Sequence, residues 1–356
     1  MHWTIAAPFL AGENPGEWLE PFVPGDRHQF SIVPRPKPLA NWHNQTSSVT
    51  PYQEWLTYWE HGKAAFDTTQ GGVITVFPQL ASVLGVCQQT SRRRVPVVAW
   101  LFNVGTCVAG ARQWLAKASL GKVDCFVVHT RREIKMYSEW LGLPADRFEF
   151  VPYQAPAHPV VYAENTAQPF MAAIGSAHRD FPTLFEAVEA LKIPTVLASG
   201  PRALKGLSLP ANVQAPMGIG KAECLQLAQE ARINVVPMIT NDRITAAGQV
   251  TIVEAMHMGR ALIATRCNGA EDYIINGETG LLVEPNSAKS LKDAIELLWN
   301  DADLRNRLGR AAQQYAHENF SDQAAGRSLG RILDRLADRH DTSKGHLAVP
   351  ANSLIA

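Results

Sequence analysis

The sequence has no surplus charge with which to attract a partner: 33 Lys and Arg side chains stand against 33 Asp and Glu, a formal balance of +0. That removes the global field by which nucleic-acid binders and strongly anionic-membrane binders draw in their targets. Cysteine is also sparse. Cys87, Cys107, Cys125, Cys224 and Cys267 are odd in number, scattered and never spaced C-x-x-C, so they read as reduced thiols of a cytosolic protein and not as a disulfide framework. No uninterrupted run reaches the ~18 apolar residues of a membrane span, and no basic stretch precedes the apolar start of the chain. The expectation is a cytoplasmic protein, with peripheral attachment to the inner face of a membrane left open. What is present is ordinary globular material: 46% hydrophobic and 19% charged residues over 356 positions, enough apolar substance for two cores and hence two domains.

The richest stretch runs from Ala246 to Val283. A polar, glycine-containing loop ending at Gly248 leads into an amphipathic helix, roughly Val250 to Met258, which Gly259 stops as a C′ glycine does. The apolar run Ala261 to Thr265 then reads as a buried parallel strand, followed by a loop, a short helix and the glycine turn Asn276 to Gly280. The loop before the helix suits a phosphate, because the first N–H groups of a helix lack internal partners and its dipole favours an anion. Gly248, Gln249, Val250 and Thr251 are the candidates there. Glu254, one turn further on, is placed to accept hydrogen bonds from a sugar diol.

These residues resemble the nucleotide-binding core of retaining GT-B glycosyltransferases of family 4. Gly248, Glu254-Ala255-Met256, Gly259, Ala264-Thr265, Gly269, Glu271, Gly277 and Thr279-Gly280-Leu281-Leu282-Val283 match its pattern as they stand. The resemblance implies an α/β protein of GT-B type, with two Rossmann-like domains whose parallel sheets face each other across a cleft. It further implies transfer of a sugar from a nucleoside-diphosphate donor, of UDP or GDP type, to a sugar, lipid-linked or protein acceptor, with retention of anomeric configuration. Family members usually carry a second Glu eight positions before the one in EAM, to hold the donor sugar's hydroxyls; this chain has Ala246 there.

Taken in order, His2 to Leu10 reads as a first strand, and the loop Ala11 to Gly16 after it is either an acceptor-facing lip or a simple turn. Pro21 to Trp59 is rich in Pro, Trp, His and Tyr and is predicted irregular around one strand, Gln29 to Val33; Trp42 within it offers a face for sugar stacking. Strands are expected at Gly72 to Phe77, Val95 to Phe102 and Asp124 to His129, with a helix from Arg131 to Leu141. Arg92-Arg93-Arg94 reads as a solvated loop, and His129 as either a cleft residue or a satisfied strand-end histidine. Asn103 stands near where many family members carry a His facing the reacting centre. Tyr153 to Pro169 has no apolar periodicity and reads as the interdomain linker.

Beyond it, Phe170 to Ile174, the loop Gly175-Ser176-Ala177-His178-Arg179-Asp180 and a helix from Pro182 repeat the strand, glycine turn and helix geometry. Arg179 is the expected cation for a diphosphate, the competing reading being an ion pair with Asp180 or a surface carboxylate. With Asn103 it makes the candidate catalytic set, while Gly175 and Ser176 join the donor-binding set. Strands at Thr195 to Ala198 and Ile233 to Pro237, with a helix from Lys221 to Ala231 between them, continue a doubly wound sheet. By the resemblance, Gly200 and the loop Pro216 to Gly220, including Met217, seat the base. Helices follow at Ser287 to Trp299, at Ala302 to Tyr315 and from Ser321 to about Arg339.

The expected organisation is therefore an N-terminal domain over 1–155, a nucleotide-sugar domain over 165–320, a C-terminal helix over 321–340 packing back on the first domain, and a disordered tail over 341–356. No cofactor is expected. Asp301-Ala302-Asp303 looks like a metal-binding DxD but sits between two helices, where Asp is a favoured N-cap. No His or Cys cluster has metal spacing, and helix N-termini with a basic side chain can neutralise a leaving diphosphate. Two other readings stay open: a catalytically silent GT-like protein that binds a nucleotide or partners a true transferase, and a GT-B epimerase or phosphorylase.

Overall fold

The computed structural model describes residues 1–14, 16–38, 50–156 and 159–347. The first half builds one sheet from β1 (His2–Ala6), β2 (Gln29–Ile32), β3 (Gly72–Val76), β4 (Val97–Trp100), β5 (Cys125–Val128) and β6 (Phe148–Phe150). The second builds another from β7 (Met171–Ile174), β8 (Thr195–Ala198), β9 (Val213–Gln214), β10 (Ile233–Val236), β11 (Leu262–Thr265) and β12 (Leu281–Val283). The two orders are β2-β1-β3-β4-β5-β6 and β12-β11-β10-β7-β8-β9, and every pairing is parallel. Parallel strands buried on both faces need near-continuous apolar runs. Such runs as VVAW and LIAT, fully buried, supply them.

The helices are α1 (Tyr52–Thr68), α2 (Pro78–Thr90), α3 (Ala111–Leu120), α4 (Arg131–Leu141), α5 (Phe181–Leu191), α6 (Pro201–Leu204), α7 (Lys221–Glu230), α8 (Gln249–His257), α9 (Ala288–Asn300), α10 (Ala302–Asn319) and α11 (Asp322–Leu347). One face of the first sheet is closed by α1, α2, α3 and α4 through residues such as Phe66, Leu84, Leu120 and Tyr137. Its other face is closed by Leu10, Leu19 and Val23 together with Leu329, Ile332 and Leu333 of α11, so the last helix packs on the first sheet. That packing is close. A Cβ at Gly326 would lie 2.4 Å from the Phe22 backbone oxygen, and Arg27 reaches α11 to pair with Asp334 (2.8 Å) and Asp338.

The structure differs from the sequence reading in four stretches. The segment expected to be irregular up to Trp59 contains the start of α1, because Pro51 leads into a helix whose buried stripe is Tyr58, His61, Gly62, Ala65 and Phe66. The exposed aromatics Tyr52, Trp55 and Trp59 mask that stripe. Neither α2 nor α3 is anticipated by the sequence reading, and α3 carries its large apolar residues Trp114 and Leu115 outward. Finally, α11 runs to Leu347, past Arg339 and into the stretch expected to be disordered. Trp42 lies outside the described residues.

Candidate donor site between the two sheets

In open α/β sheets a ligand binds beyond the carboxyl ends of the strands, where the strand order reverses. In the second sheet that reversal lies between β7 and β10, and the two loops that leave these strands are joined to each other. Arg179 and Met238 form an antiparallel bridge, the Asp180 N–H donates to Pro237 O at 3.1 Å, and the Ile239 N–H donates to His178 O at 2.9 Å. Glycine is required at position 175: its φ is +103°, and a Cβ there would sit 2.3 Å from the Arg179 guanidinium. His178 holds a left-handed φ of 54°, a conformation costly for a residue with a side chain.

Arg179 is not in the open cleft but behind the loop, 8% exposed. Its Nε and Nη2 donate to Ile174 O at 3.2 and 3.0 Å, its Nη1 to Ala177 O at 3.0 Å and to the Met238 sulfur at 2.8 Å, and its Nη2 also to Thr251 Oγ1 at 3.0 Å. All five N–H groups of the guanidinium are thus engaged by protein. The expected alternative of an ion pair with Asp180 is not what forms, since Asp180 caps α5 by accepting from the Thr183 N–H at 3.2 Å. Among the described residues no carboxylate lies within ion-pair distance of Arg179. Burial lowers its pKa to about 10, so it stays cationic at neutral pH. An unneutralised buried cation makes the loop in front of it a place for an anion.

The amino terminus of α8 opens on the same place. Gly248 is its N-cap at φ 94°, and Gln249, Val250 and Thr251 are its first three residues, whose N–H groups have no partner inside the helix. The Gln249 side chain is turned inward and donates to Asn268 O at 2.7 Å, so only its backbone faces out; Val250 is exposed. Thr251 spends its hydroxyl on Arg179 and so couples the cation to the helix end. Ser176 lies on the opposite side, accepting from the Gly200 N–H at 2.7 Å and from Ser199 Oγ at 3.1 Å. Met217, in the loop before α7, is 54% exposed.

Glu254 lies one turn along α8 with its side chain 15% exposed, and its Oε1 is ion-paired with Lys221, which is 53% exposed at the start of α7. That leaves Oε2 for a ligand. Tyr153 is close by: burial first, then the Glu254 charge, raise its pKa to about 12. Lys221 carries no local sequence signal beyond opening a helix.

The first sheet contributes from the other side. Asn103 follows β4, and its Nδ2 donates to Ala246 O at 2.8 Å while its Oδ1 accepts from Thr245 Oγ1 at 2.6 Å. It thus holds the loop that leads into α8. Beside it the Cys107 N–H donates to Arg243 O at 2.8 Å and Thr106 bridges Ile244. His129 is buried; its Nδ1 donates to Val151 O at 2.9 Å, and burial lowers its pKa to about 4. It is therefore a neutral strand-end histidine. Where the first sheet's order reverses, between β1 and β3, Phe9 packs edge-on against Phe77 at 6.5 Å, and Phe77 has a φ of 75°.

The other candidates resolve into packing. Arg93 donates to Phe66 O and Thr69 O, and Arg94 pairs with Asp124 at 2.9 Å. Asp301 caps α10 by accepting from the Leu304 N–H at 2.8 Å. Among the described residues no three His, Cys, Asp or Glu side chains come together as a metal site, and no helix is long and apolar enough to cross a membrane.

Residues 202–315 match the family described as "Glycosyl transferases group 1". An uncharacterised glycosyltransferase of Methanocaldococcus jannaschii is 30% identical over 88 residues, 25% of this chain and 22% of the relative. The alpha-D-kanosaminyltransferase of Streptomyces kanamyceticus is 36% identical over 83 residues, 23% of this chain and 22% of the relative. The match thus spans about a fifth of the length of these relatives. Over nearly the whole chain the fold is that of sucrose-phosphate synthase from Thermosynechococcus elongatus, with a TM-score of 0.69 at 18% identity, covering 95% of this chain and 99% of that one. Anabaena HepE in complex with UDP gives a TM-score of 0.65 at 13% identity over 94% of this chain and 100% of that one. Residues 202–315 thus match the glycosyl transferases group 1 family, and the chain as a whole has the GT-B fold.

Proposed function

We propose that the protein is a glycosyltransferase that moves a sugar from a nucleoside-diphosphate sugar, of UDP or GDP type, to an acceptor entering over the first sheet. The observation that carries this reading is the buried, carboxylate-free Arg179 set behind two converging backbone edges, the Gly175–Asp180 loop and the amino terminus of α8. A diphosphate supplies the charge that this arrangement lacks. One turn along α8, Glu254 accepts from a ribose hydroxyl, and the exposed loop around Met217 lies beside the base.

Retention of anomeric configuration follows from the family resemblance. In that mechanism the departing diphosphate takes the acceptor's proton, so the chain's own task is to position both reactants and to stabilise growing negative charge. Arg179 and the α8 amides do the latter, and the reaction needs no metal. Phe9 and Phe77 offer an aromatic edge to a sugar acceptor at the opposite strand-order reversal. No acceptor is carried over from the relatives named above.

Ala246 favours a second reading, a silent nucleotide binder, because a methyl group stands where the resemblance implies a carboxylate for the donor sugar. Incubating the protein with UDP-glucose, GDP-mannose and ADP-glucose without acceptor separates the two. An enzyme slowly releases nucleoside diphosphate from one of them; binding without any release supports the silent protein.

A further inference from the structure

Glu133 is a buried carboxylate with no cation within ion-pair distance among the described residues. It is the third residue of α4, and its Oε2 accepts from the backbone N–H groups of His129 (3.0 Å) and Thr130 (2.9 Å), closing the start of that helix. Its Oε1 points across to the other half of the molecule, accepting from the Ala246 N–H at 2.9 Å and from the Tyr137 hydroxyl at 3.3 Å. Tyr137 in turn accepts from the Val104 N–H at 3.1 Å. The carboxylate is wholly enclosed, and burial raises its pKa against these hydrogen bonds. A charged group is kept in such a place only when its acceptor capacity is met by donors. One of those donors belongs to the segment that ends at the α8 N-cap.

Ala246 is therefore gripped at both polar groups of its backbone by side chains from the first sheet's half: its N–H by Glu133 and its C=O by Asn103. Two residues later comes Gly248, and the α8 amides follow. A short segment fixed at one end has little freedom at the other, so these contacts set the direction in which the first N–H groups of α8 point.

We infer that Glu133 is a positioning residue for nucleotide binding: through its hydrogen bond to the Ala246 amide, the first half of the molecule aligns the anion-facing end of α8 in the second. The inference rests on the proposed nucleotide site but concerns a residue that makes no contact with the ligand. It also explains why a carboxylate is needed. A glutamine at this third helical position still closes the helix start, since its carbonyl oxygen accepts from the His129 and Thr130 amides. Its NH2 group then faces the Ala246 N–H, donor against donor.

Glu133→Gln is accordingly the test, in the full chain, with two readouts. Hydrogen exchange of the segment 245–252 should quicken about tenfold relative to wild type, while α4 keeps its protection. Titration with UDP, GDP and ADP should show affinity weakened about tenfold for whichever wild type binds. Asn103→Ala, at an exposed position, should also loosen 245–252. The double variant should fall short of the sum, because both substitutions release the same residue. Unchanged exchange, or strictly additive losses, overturns the inference. So does quickened exchange with unaltered nucleotide affinity, and in that case the nucleotide site itself stands. If wild type binds none of the three nucleotides, the site reading falls and the positioning role falls with it, even where the exchange data confirm the contact.

Discussion

Replacing Arg179 by glutamine removes one positive charge from behind the Gly175–Asp180 loop and keeps part of its hydrogen bonding. A phosphate held by the first amides of α8 would lie roughly 7 Å from the guanidinium, given the 3.0 Å bond from Arg179 to Thr251 Oγ1. At that separation and an effective dielectric of about 20, each unit of phosphate charge is worth about 2 kcal/mol, or roughly thirtyfold in Kd. Burial leaves this interaction poorly screened, so the loss should persist in high salt. A glutamine amide supplies two N–H groups where the guanidinium supplies five, so the folded state should also lose about 1–3 kcal/mol. Thermal unfolding monitored by circular dichroism keeps that loss apart from binding. Titration calorimetry with UDP, GDP and ADP reads the affinity. If charge grows on the diphosphate as the glycosidic bond breaks, turnover should fall further than affinity, and Arg179→Lys should recover only part of either. A folded Arg179→Gln variant that binds nucleotide within about threefold of wild type would refute the electrostatic role.

Three further outcomes are expected. Glu254→Ala should raise the donor Kd by one to two powers of ten, from loss of roughly 1.5–3 kcal/mol of charge-assisted hydrogen bonding; equal affinity in a folded variant would mean that Glu254 serves only Lys221. Transfer or hydrolysis should continue in excess EDTA, and abolition with rescue by manganese would reopen Asp301 and Asp303. The pKa of His129 is lowered to about 4 in the folded protein, against about 6.5 unfolded. The unfolded chain therefore binds this proton first, and stability falls as pH drops from 6.5 toward 4, by about 3 kcal/mol from this group. His28, His61 and His178, also lowered by burial, act in the same direction. Denaturant melts of His129→Phe across that range should show a shallower acid-side decline; an unchanged slope would show that His129 is not the source.

Where the fold was legible from sequence, the reason is local. Strand β8 (Thr195–Ala198) and helix α4 (Arg131–Leu141) fall where the residues predict them. The first is a short apolar run before a Gly-Pro turn; the second is bounded by Thr130 with Glu133 at one end and Gly142 in a left-handed conformation at the other. Helix α1 was hidden because four of its large residues, Tyr52, Trp55, Leu56 and Trp59, face outward and blur the apolar period. In the site, Glu254 and the α8 loop could be placed by motif. The burial of Arg179 could not, because three of its five hydrogen bonds go to backbone carbonyls, which any sequence provides, and the other two to Met238 and Thr251, far along the chain. Nor could the Glu133–Ala246 contact, whose partners are separated by 113 positions, one in helix α4 and the other in the loop before α8. Thr-x-x-Glu announces a helix start; nothing in it tells that the second carboxylate oxygen reaches the opposite half.

In the proposed function the cleft between the sheets binds a nucleoside diphosphate sugar through Arg179, the α8 amides and Glu254. Its most direct test is a calorimetric titration of the wild-type chain, in EDTA, with UDP-, GDP- and ADP-sugars. At least one should bind one-to-one, more tightly than the corresponding nucleoside, and the Arg179→Gln variant should lose that advantage of the diphosphate. Absence of binding by all three, or a nucleoside that binds as well as its diphosphate sugar, would contradict the account.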